Sequence, residues 1–279
     1  MTSATQAPEN RAVLAKALTI AGSDSGGGAG LQADLKVFTV FGVYGSSVVT
    51  ALTAQNTVGV SAVHAVPREF VRAQLDAVMG DIGADAVKTG MLYDAQIVDE
   101  VAHAMRRYEV ANLVVDPVMI AQSGASLVEP DAVAALRSEL IPLSRLLTPN
   151  VPEAEALADT TIESIDDARR AARALVRLGA RAVLLKGGHL TGPEAVDVFD
   201  DGHAVVEFRA PRLDARHTHG TGCQLSAAIT AALARGSSLE EAVRQGKRYI
   251  STAIAAGVRV GAGVGPANPL AWLEPRTSK

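Results

Sequence analysis

Short apolar segments alternate with longer amphipathic segments along most of the chain, and this alternation limits the possible folds more than any other feature. The strand-like segments are 17–21, 47–52, 86–90, 113–118, 146–149 and 183–186. The segments with helical spacing include 31–41, 94–108, 130–140 and 223–234. Strands that alternate with helices form βαβ units, with a parallel sheet between two layers of helices. The sequence therefore predicts an α/β fold of three layers, α/β/α, with a mostly parallel central sheet.

Local signals add helix starts and one hairpin to this pattern. Ser164 and Asp167 have the spacing of a capping box, and Ser238 and Glu241 repeat that start before the last long helix. The segment 196–208 has the pattern of a hairpin that turns at Asp-Asp-Gly, residues 200–202. These signals predict helices over 164–178 and 238–256 and an antiparallel pair between them.

Composition excludes several classes of protein. The chain has 279 residues, of which 48% are hydrophobic, so a sizeable core is expected, with residues 17–279 as a single domain. Residues 1–16 are polar and mixed, which predicts a flexible tail rather than a signal peptide. A net charge of −4 without a dense basic run argues against nucleic acid or an anionic membrane as partner. A single cysteine excludes an internal disulfide and a cysteine-clustered zinc site, and a cytoplasmic protein is expected.

The segment HTHGTGC, residues 217–223, stands immediately before a long alanine-rich run. Gly220 and Gly222 let the backbone turn and leave its N–H groups uncovered. A helix that begins near Gly222 adds unpaired N–H donors and the positive end of its dipole, which suits a phosphoryl group in transfer. The same field should favour the thiolate of Cys223 and so provide a base. The alternative is a buried, chemically inert cysteine after a plain loop.

The glycine-rich segment 22–30 fits the spacing of a dinucleotide-binding loop. Such a loop requires an acidic residue about 20 positions later, but no Asp or Glu occurs between Asp34 and Glu69. We therefore expect a loop that approaches a small ligand closely, with Asp34 reaching into the pocket. A tight turn with a solvated Asp34 is the alternative.

Polar residues follow most of the predicted strands, where ligands of such sheets gather. They are Asp24, Gln55, Lys88, Asp116, Asn150 and Lys186. Asn150 and Glu153 offer oxygen ligands for a Mg²⁺ held largely through water, or an ordinary helix cap. Lys186 offers a cation for nucleotide phosphates, or a plain surface lysine. The chain has no Walker A motif and no protein-kinase signature.

Taken together and in order, these motifs resemble the hydroxymethylpyrimidine/phosphomethylpyrimidine kinases of thiamine biosynthesis, in the ribokinase-like superfamily. The segments that carry the resemblance are 17–36 (ALTIAGSDSGGGAGLQADLK), 50–57 (TALTAQNT), 88–92 (KTGML), 115–119 (VDPVM), 148–153 (TPNVPE), 186–189 (KGGH) and 217–223 (HTHGTGC). They extend from residue 17 to the closing helices. The resemblance implies a ribokinase-like fold, ATP and Mg²⁺, and phosphorylation of a pyrimidine alcohol and of its monophosphate to the diphosphate; a homodimer is expected.

The resemblance also implies roles for individual residues on the side of the phosphoryl acceptor. Asp34 and Gln55 would read the aminopyrimidine edge, and Ala29 and Met91 would form pocket walls. Cys223 stands where most of the superfamily has an Asp base and matches the cysteine of this subgroup.

On the nucleotide side, the resemblance implies an anion hole at Gly220 and Gly222. Asp116, Asn150 and Glu153 would serve Mg²⁺ and phosphate, with Asp116 and Glu153 as the metal ligands. Lys186 would contact nucleotide phosphate. Gln224 is a departure, because a Thr often follows the cysteine.

Two other functions stay open on the sequence. A pyridoxal kinase of the cysteine-bearing type acts on a similar heteroaromatic CH₂OH group. A catalytically idle sensor of the pyrimidine is the second alternative, and the intact Cys223, Asp116, Asn150 and Glu153 argue against it.

Overall fold

The computed structural model describes residues 14–120, 124 and 127–274 of the chain. Within these ranges one sheet of nine strands runs through the molecule in the order β3-β2-β1-β4-β5-β6-β7-β8-β9. The strands are β1 (Lys16–Asp24), β2 (Tyr44–Gln55), β3 (Val60–Ala65), β4 (Ala86–Thr89), β5 (Leu113–Val115), β6 (Leu146–Leu147), β7 (Val183–Leu185), β8 (Glu194–Asp200) and β9 (Val205–Pro211). The six strands from β2 to β7 in this order pair in parallel, whereas β3, β8 and β9 are antiparallel to their neighbours.

Helices cover both faces of the sheet, so the predicted three-layer α/β/α architecture is confirmed. The α-helices in the described ranges are α1 (Gly30–Val40), α2 (Arg68–Ala77), α3 (Ala95–Arg107), α4 (Ala132–Ala135), α5 (Val151–Ala158), α6 (Ile165–Arg177), α7 (Thr221–Ala234) and α8 (Leu239–Ala255). Helices α2 to α6 share one core with the sheet, and α1, α7 and α8 share the other.

The central strands are buried on both faces, and their side chains alternate between the two cores. In β5, Leu113 and Val115 pack with α3, whereas Val114 packs on the side of α7. In β7, Val183 and Leu185 face the first core and Leu184 the second. This explains why these strands are continuous apolar runs in the sequence rather than alternating ones.

The predicted boundaries agree with the structure with a few differences. The capping box of Ser164 and Asp167 is present, and Ser238 accepts a hydrogen bond from the Glu241 N–H. Strand β3 has no counterpart in the sequence prediction. The strand is short, its residues are partly exposed, and apolar and polar residues alternate only weakly along it. Lys16 already belongs to β1, so the strand begins inside the predicted tail, of which residues 1–13 lie outside the described ranges.

The carboxyl ends of the parallel strands meet at one edge of the sheet, and the loops that follow the strands begin there. Asp24 ends β1, Asp116 follows β5, Asn150 follows β6 and Lys186 follows β7. Among the described helices, none is long and apolar enough to cross a membrane.

Candidate active site

A cavity of about 700 Å³ lies at this edge of the sheet. Ten of the eleven predicted site residues line it. They are Ala29, Gln55, Met91, Asp116, Asn150, Glu153, Lys186, Gly220, Gly222 and Cys223. The fold thus gathers residues from segments almost 200 positions apart around one space.

The loop before α7 forms one wall of the cavity through close backbone packing. Gly220 has a φ of +74°, and a Cβ at this position would lie 1.9 Å from the carbonyl oxygen of Gly28. Only glycine allows this conformation and this contact. Helix α7 begins at Thr221, so the N–H groups of Gly222 and Cys223 lie in its first turn, where no preceding turn provides an acceptor. The wall therefore has the geometry of an anion pocket.

Cys223 borders the cavity from the first turn of α7. Cys223 as a whole keeps some exposed surface, but burial of its thiol raises the pKa of the thiol to about 11. The nearby Lys88 opposes this rise, and the carboxylates of Asp116 and Asp34 add to it. The prediction that the helix field lowers this pKa is therefore wrong. Desolvation of the thiol and the charges of the two acids outweigh the favourable field.

Asp34 is the predicted site residue that does not line the cavity. Its side chain is completely buried on α1, and its two oxygens lie 2.8 and 2.7 Å from Nζ of Lys88. Thr19 donates a further hydrogen bond of 2.6 Å to it. The predicted direct contact of Asp34 with a ligand is thus not possible in this position. A buried lysine needs a buried counter-charge, and Asp34 fulfils this role beneath the cavity floor.

Lys88 is a site residue that the sequence suggested only as one of several polar strand ends. It lines the cavity although its exposed fraction is 0%. Burial opposes its positive charge, but Asp34, Cys223 and Asp116 outweigh this and raise its pKa. Lys88 therefore stays charged and supplies a fixed cation close to the thiol.

Two acids and a lysine line the cavity next to the loop before α7. Nζ of Lys186 lies 2.8 Å from Oδ1 of Asp116 and 3.8 Å from Oε2 of Glu153. Asp116 also accepts hydrogen bonds from Ser226 (3.0 Å) and Thr148 (3.1 Å). Burial disfavours the charge of Asp116, but Lys186 and Lys88 outweigh it, so its pKa is lowered. Asp116 is therefore a carboxylate at neutral pH.

Glu153 belongs to the helix cap that the sequence allowed as an alternative. Its Oε2 accepts the N–H of Asn150 at 2.7 Å, and Oδ1 of Asn150 accepts the N–H of Glu153 at 2.9 Å, which completes a capping box at the start of α5. Burial raises the pKa of Glu153 to about 7; Lys186 lowers it only in part, and Asp116 raises it further. The same side chain thus caps a helix and titrates near neutral pH.

Gln55 lines the cavity at the end of β2. Its Nε2 is 3.3 Å from Nε2 of His219, which in turn is 3.0 Å from Oδ2 of Asp24. Oδ2 of Asp24 also accepts the N–H groups of Gly28 and Ala29. These bonds join the glycine-rich loop, the end of β2 and the loop before α7. No local sequence signal shows the contact of His219 with Gln55.

Comparison with known proteins identifies the family. Residues 24–268 match the model of the phosphomethylpyrimidine kinase family. A hydroxymethylpyrimidine/phosphomethylpyrimidine kinase of Rhizobium meliloti is 53% identical over 91% of this chain and 96% of its own length. The chain belongs to the phosphomethylpyrimidine kinase family. It is therefore an enzyme of the phosphotransferase class, as predicted.

The family also contains longer proteins. The thiamine biosynthesis bifunctional protein ThiED of Geobacter sulfurreducens is 53% identical over 92% of this chain, but the match covers 52% of that protein. The chain thus spans about half the length of this bifunctional relative and nearly the whole length of the Rhizobium kinase.

Solved structures confirm the ribokinase-like fold expected from the resemblance. A phosphomethylpyrimidine kinase from Clostridium difficile 630 is 45% identical, with a TM-score of 0.77 over 86% of this chain and 99% of that one. An ADP complex of Bacillus subtilis pyridoxal kinase is 38% identical, with a TM-score of 0.87 over 93% of this chain and 98% of that one. The fold is therefore common to kinases of two different heteroaromatic alcohols.

Gln224, the departure from the family pattern, lies inside the protein. Its Oε1 accepts a 2.6 Å hydrogen bond from the hydroxyl of Tyr249, and its Nε2 donates to the carbonyl of Ala267 at 3.1 Å. The side chain thus ties α7 to α8 and to the chain after α8. Since it is buried and engaged in these two bonds, it has a structural role.

The two acids fit a Mg²⁺ that is bound mainly by phosphate and water. Among the residues that the structure describes, no cluster of three or more His, Cys, Asp or Glu side chains could hold a metal on its own. Asp116 and Glu153 face the same ammonium group and line the same cavity. Carboxylate oxygens are suitable ligands for Mg²⁺, which keeps several waters and uses substrate phosphates for the rest.

Proposed function

We propose that the chain transfers the γ-phosphoryl group of ATP to 4-amino-5-hydroxymethyl-2-methylpyrimidine and then to its monophosphate, which gives the diphosphate used in thiamine biosynthesis. The observation that carries this proposal is the arrangement of the cavity. It has a polar amide at Gln55, an anion pocket with a thiol at Gly220 to Cys223, and a charged cluster at Asp116, Glu153 and Lys186.

The charged cluster suits the phosphates of ATP. Lys186 is the cation that contacts them, and a Cβ on Gly222 would lie 3.3 Å from its Nζ, so the ammonium group is next to the anion pocket. Burial opposes its charge, but Asp116 and Glu153 raise its pKa, so Lys186 stays protonated at any pH at which the enzyme works. Asn150 stands beside it at the start of α5.

Asp116 and Glu153 would hold Mg²⁺ through their carboxylates. When bound, the ion neutralises phosphate charge and orients the leaving group. Its binding requires Glu153 to lose its proton, and because the pKa of this group is about 7, the protein binds the ion better at mildly alkaline pH.

The anion pocket would stabilise the transferred group. The alcohol oxygen attacks the γ-phosphorus, the bond to the ADP oxygen breaks, and the alcohol proton passes to the thiolate of Cys223. Backbone N–H groups at Gly222 and Cys223 face the added negative charge without reorganisation. Because the pKa of Cys223 is about 11, a small fraction of the thiol is ionised at neutral pH, and Lys88 is the cation that favours that fraction.

Pyridoxal is the second candidate acceptor. The observation in its favour is the similarity in fold to the Bacillus subtilis pyridoxal kinase, at 38% identity and a TM-score of 0.87. The 53% identity to the Rhizobium hydroxymethylpyrimidine/phosphomethylpyrimidine kinase favours the pyrimidine. We therefore expect pyridoxal to be the poorer substrate.

A product assay tests the proposal. The purified chain is incubated with Mg²⁺, ATP and the pyrimidine alcohol, and ADP, monophosphate and diphosphate are followed by anion-exchange chromatography. We expect both phosphates in sequence, and no ADP when EDTA is added. The proposal is wrong if pyridoxal is turned over with a higher kcat/KM or if ADP forms equally well without an acceptor. The expected homodimer is a separate prediction, which sedimentation analysis can test.

A further inference from the structure

The side-chain amide of Gln55 can present its oxygen and its nitrogen to a ligand in two opposite orientations, and its neighbours select one of them. In one orientation of the amide, Nε2 lies 3.3 Å from Nε2 of His219 and Oε1 lies 3.2 Å from Oγ1 of Thr53. Rotation of the amide by 180° exchanges the two groups with little change in shape, so hydrogen-bond partners must decide between them. We infer that Thr53 and His219 are positioning residues that hold Oε1 of Gln55 toward His219 and Nε2 toward Thr53. The inference rests on the proposed function, since it concerns how that pocket recognises its substrate.

The first constraint comes from Asp24. Its carboxylate accepts backbone N–H groups from Gly26, Gly28 and Ala29, at 2.8 to 3.0 Å, and its exposed fraction is 3%. Burial disfavours its charge, but His219 and these N–H groups outweigh it and lower its pKa. Nε2 of His219 lies 3.0 Å from Oδ2 of this ionised acid and must therefore carry the hydrogen. A donor at Nε2 of His219 requires an acceptor on Gln55, and that acceptor is Oε1.

The second constraint comes from Thr53 and is independent of the first. Oγ1 of Thr53 lies 2.9 Å from the carbonyl oxygen of Ser23, which can act only as an acceptor. The single hydroxyl hydrogen of Thr53 is thus directed to Ser23, and Oγ1 is left as an acceptor toward Gln55. The group of Gln55 that faces Thr53 must therefore be the donor, Nε2. Both constraints select the same orientation.

The orientation determines which ligand edge fits. One N–H of Gln55 and one lone pair of its Oε1 are left for the cavity, in a fixed order set by the two neighbours. An aminopyrimidine offers a ring nitrogen that accepts next to an amino group that donates, which complements a side-chain amide. The 4-oxo analogue has a ring N–H next to a carbonyl oxygen, so its order is reversed. A fixed amide should reject it, whereas an amide able to rotate could accept either edge.

The test compares the two pyrimidine alcohols. We measure kcat/KM for the 4-amino compound and its 4-oxo analogue with the parent chain, Thr53→Val and Thr53→Ser. Valine keeps the shape of the threonine side chain and removes its hydroxyl acceptor, whereas serine keeps the hydroxyl. We expect the preference of the parent for the amino compound to fall about tenfold in Thr53→Val, the equivalent of one neutral hydrogen bond, and to persist in Thr53→Ser. Ser61→Ala is the matched control, because Ser61 donates to the carbonyl of Ala54 in the same hairpin at an exposed position.

A double-mutant cycle separates positioning from direct contact. In a Gln55→Ala background, Thr53→Val should leave the preference unchanged, because the amide that Thr53 orients is absent. An unchanged preference in Thr53→Val alone, or a further loss in the Gln55→Ala background, would overturn the inference. If Thr53→Val does not fold, Thr53→Ala takes its place.

Calorimetric titration of both compounds without ATP gives the ratio of their affinities, and so measures the preference independently of turnover. A parent that binds the amino pyrimidine with the expected preference but forms no ADP would contradict the proposed function and leave the inference standing.

Discussion

Two glutamates of this protein have little exposed surface, and yet their pKa values lie far apart, because Glu153 lies deeper in the protein and has weaker partners than Glu100. Glu100 on α3 is 2% exposed, and two arginines of α2 bring its pKa to about 2, since the two hydrogen bonds from Arg72 and the one from Arg68 outweigh the cost of burial. Glu153 in the cavity is 5% exposed, and burial raises its pKa to about 7 because one lysine is shared with Asp116.

The difference between them shows where the fold leaves polar groups incompletely compensated. At Glu100 every carboxylate oxygen has an arginine partner at 2.9 Å or less, so the charge is matched within the protein. In the cavity, Glu153 and Cys223 both have pKa values raised by burial. The charged forms of such groups are fully compensated only when a ligand or metal of opposite charge is bound. The contrast predicts that substitutions in the cavity change catalysis, whereas those at Glu100 change stability.

Cys223→Ala should have the largest effect. If the thiolate accepts the alcohol proton, we expect kcat to fall by about 10²–10⁴-fold, the range for loss of a positioned proton acceptor. Binding of pyrimidine and ATP should persist, because the backbone donors of the anion pocket remain. Steady-state kinetics and calorimetric titration measure the two effects separately. A folded variant with the kcat of the parent would make Cys223 a packing residue.

The pH dependence of the same step sharpens this prediction. With a thiol pKa of about 11, the thiolate fraction rises nearly tenfold per pH unit between pH 7.5 and 9.5, so kcat and the rate of alkylation by iodoacetamide should both rise. Cys223→Asp should keep more activity than the Ala variant and lose this alkaline rise, since an Asp is ionised throughout that range. A rate that is flat with pH in the parent would show that the thiolate does not limit turnover.

Glu153→Gln should have the next largest effect and acts through the metal. The carboxylate loses its proton around pH 7, so the Mg²⁺ concentration for half-maximal rate should fall as the pH rises from 6 to 8 in the parent. The variant should require about 10–100-fold more Mg²⁺, with no such pH dependence. Because the pKa of Glu153 is raised, its ionisation above pH 7 costs folding free energy, and the variant should be at least as stable as the parent at pH 8. Equal Mg²⁺ dependence in both proteins would assign Glu153 to the helix cap alone.

Gln55→Ala should have a smaller effect that is confined to one substrate. Loss of the amide leaves polar groups of the pyrimidine unpaired, and we expect KM for the pyrimidine to rise about tenfold or more, with KM for ATP nearly unchanged. Initial-rate measurements with each substrate varied in turn provide the test. A parallel rise in both KM values would indicate a general disturbance of the cavity.

The sequence predicts the fold well because the alternation of apolar and amphipathic segments is a local property. It also places the polar strand ends correctly, since the carboxyl ends of parallel strands meet at one edge in any such sheet. Strand β3 was missed because its residues at the sheet edge are partly exposed and carry little pattern. The antiparallel strands β8 and β9 were found because a tight turn marks them.

The electrostatics of the site could not be predicted from local sequence. Asp34 was expected in the pocket, but its partner Lys88 is 54 positions away and both are completely buried. The thiol of Cys223 was expected to be acidic from the helix start alone, whereas burial beside Asp116 and Asp34 raises its pKa. His219 reaches Asp24 over 195 positions. The contacts of these residues and the pKa of the thiol depend on which distant charged groups the fold brings close to them. The spacing of residues along the chain does not show which groups those are.

Glu100→Gln should have the smallest effect on activity and tests the other side of the comparison. Glutamine keeps the shape but removes the charge that binds Arg68 and Arg72, and we expect the free energy of unfolding at pH 7 to fall by about 1–2 kcal/mol, a modest value because both arginines are about half exposed. The folded pKa of Glu100 is lowered, so its stabilising effect is complete above about pH 4.5 and is lost as the pH falls toward 2. The difference between parent and variant in urea unfolding should therefore be full at pH 7, smaller at pH 3 and absent below about pH 2. A difference that does not shrink as the pH falls would point to packing rather than charge, and a loss of kcat would show that α2 and α3 act on the cavity.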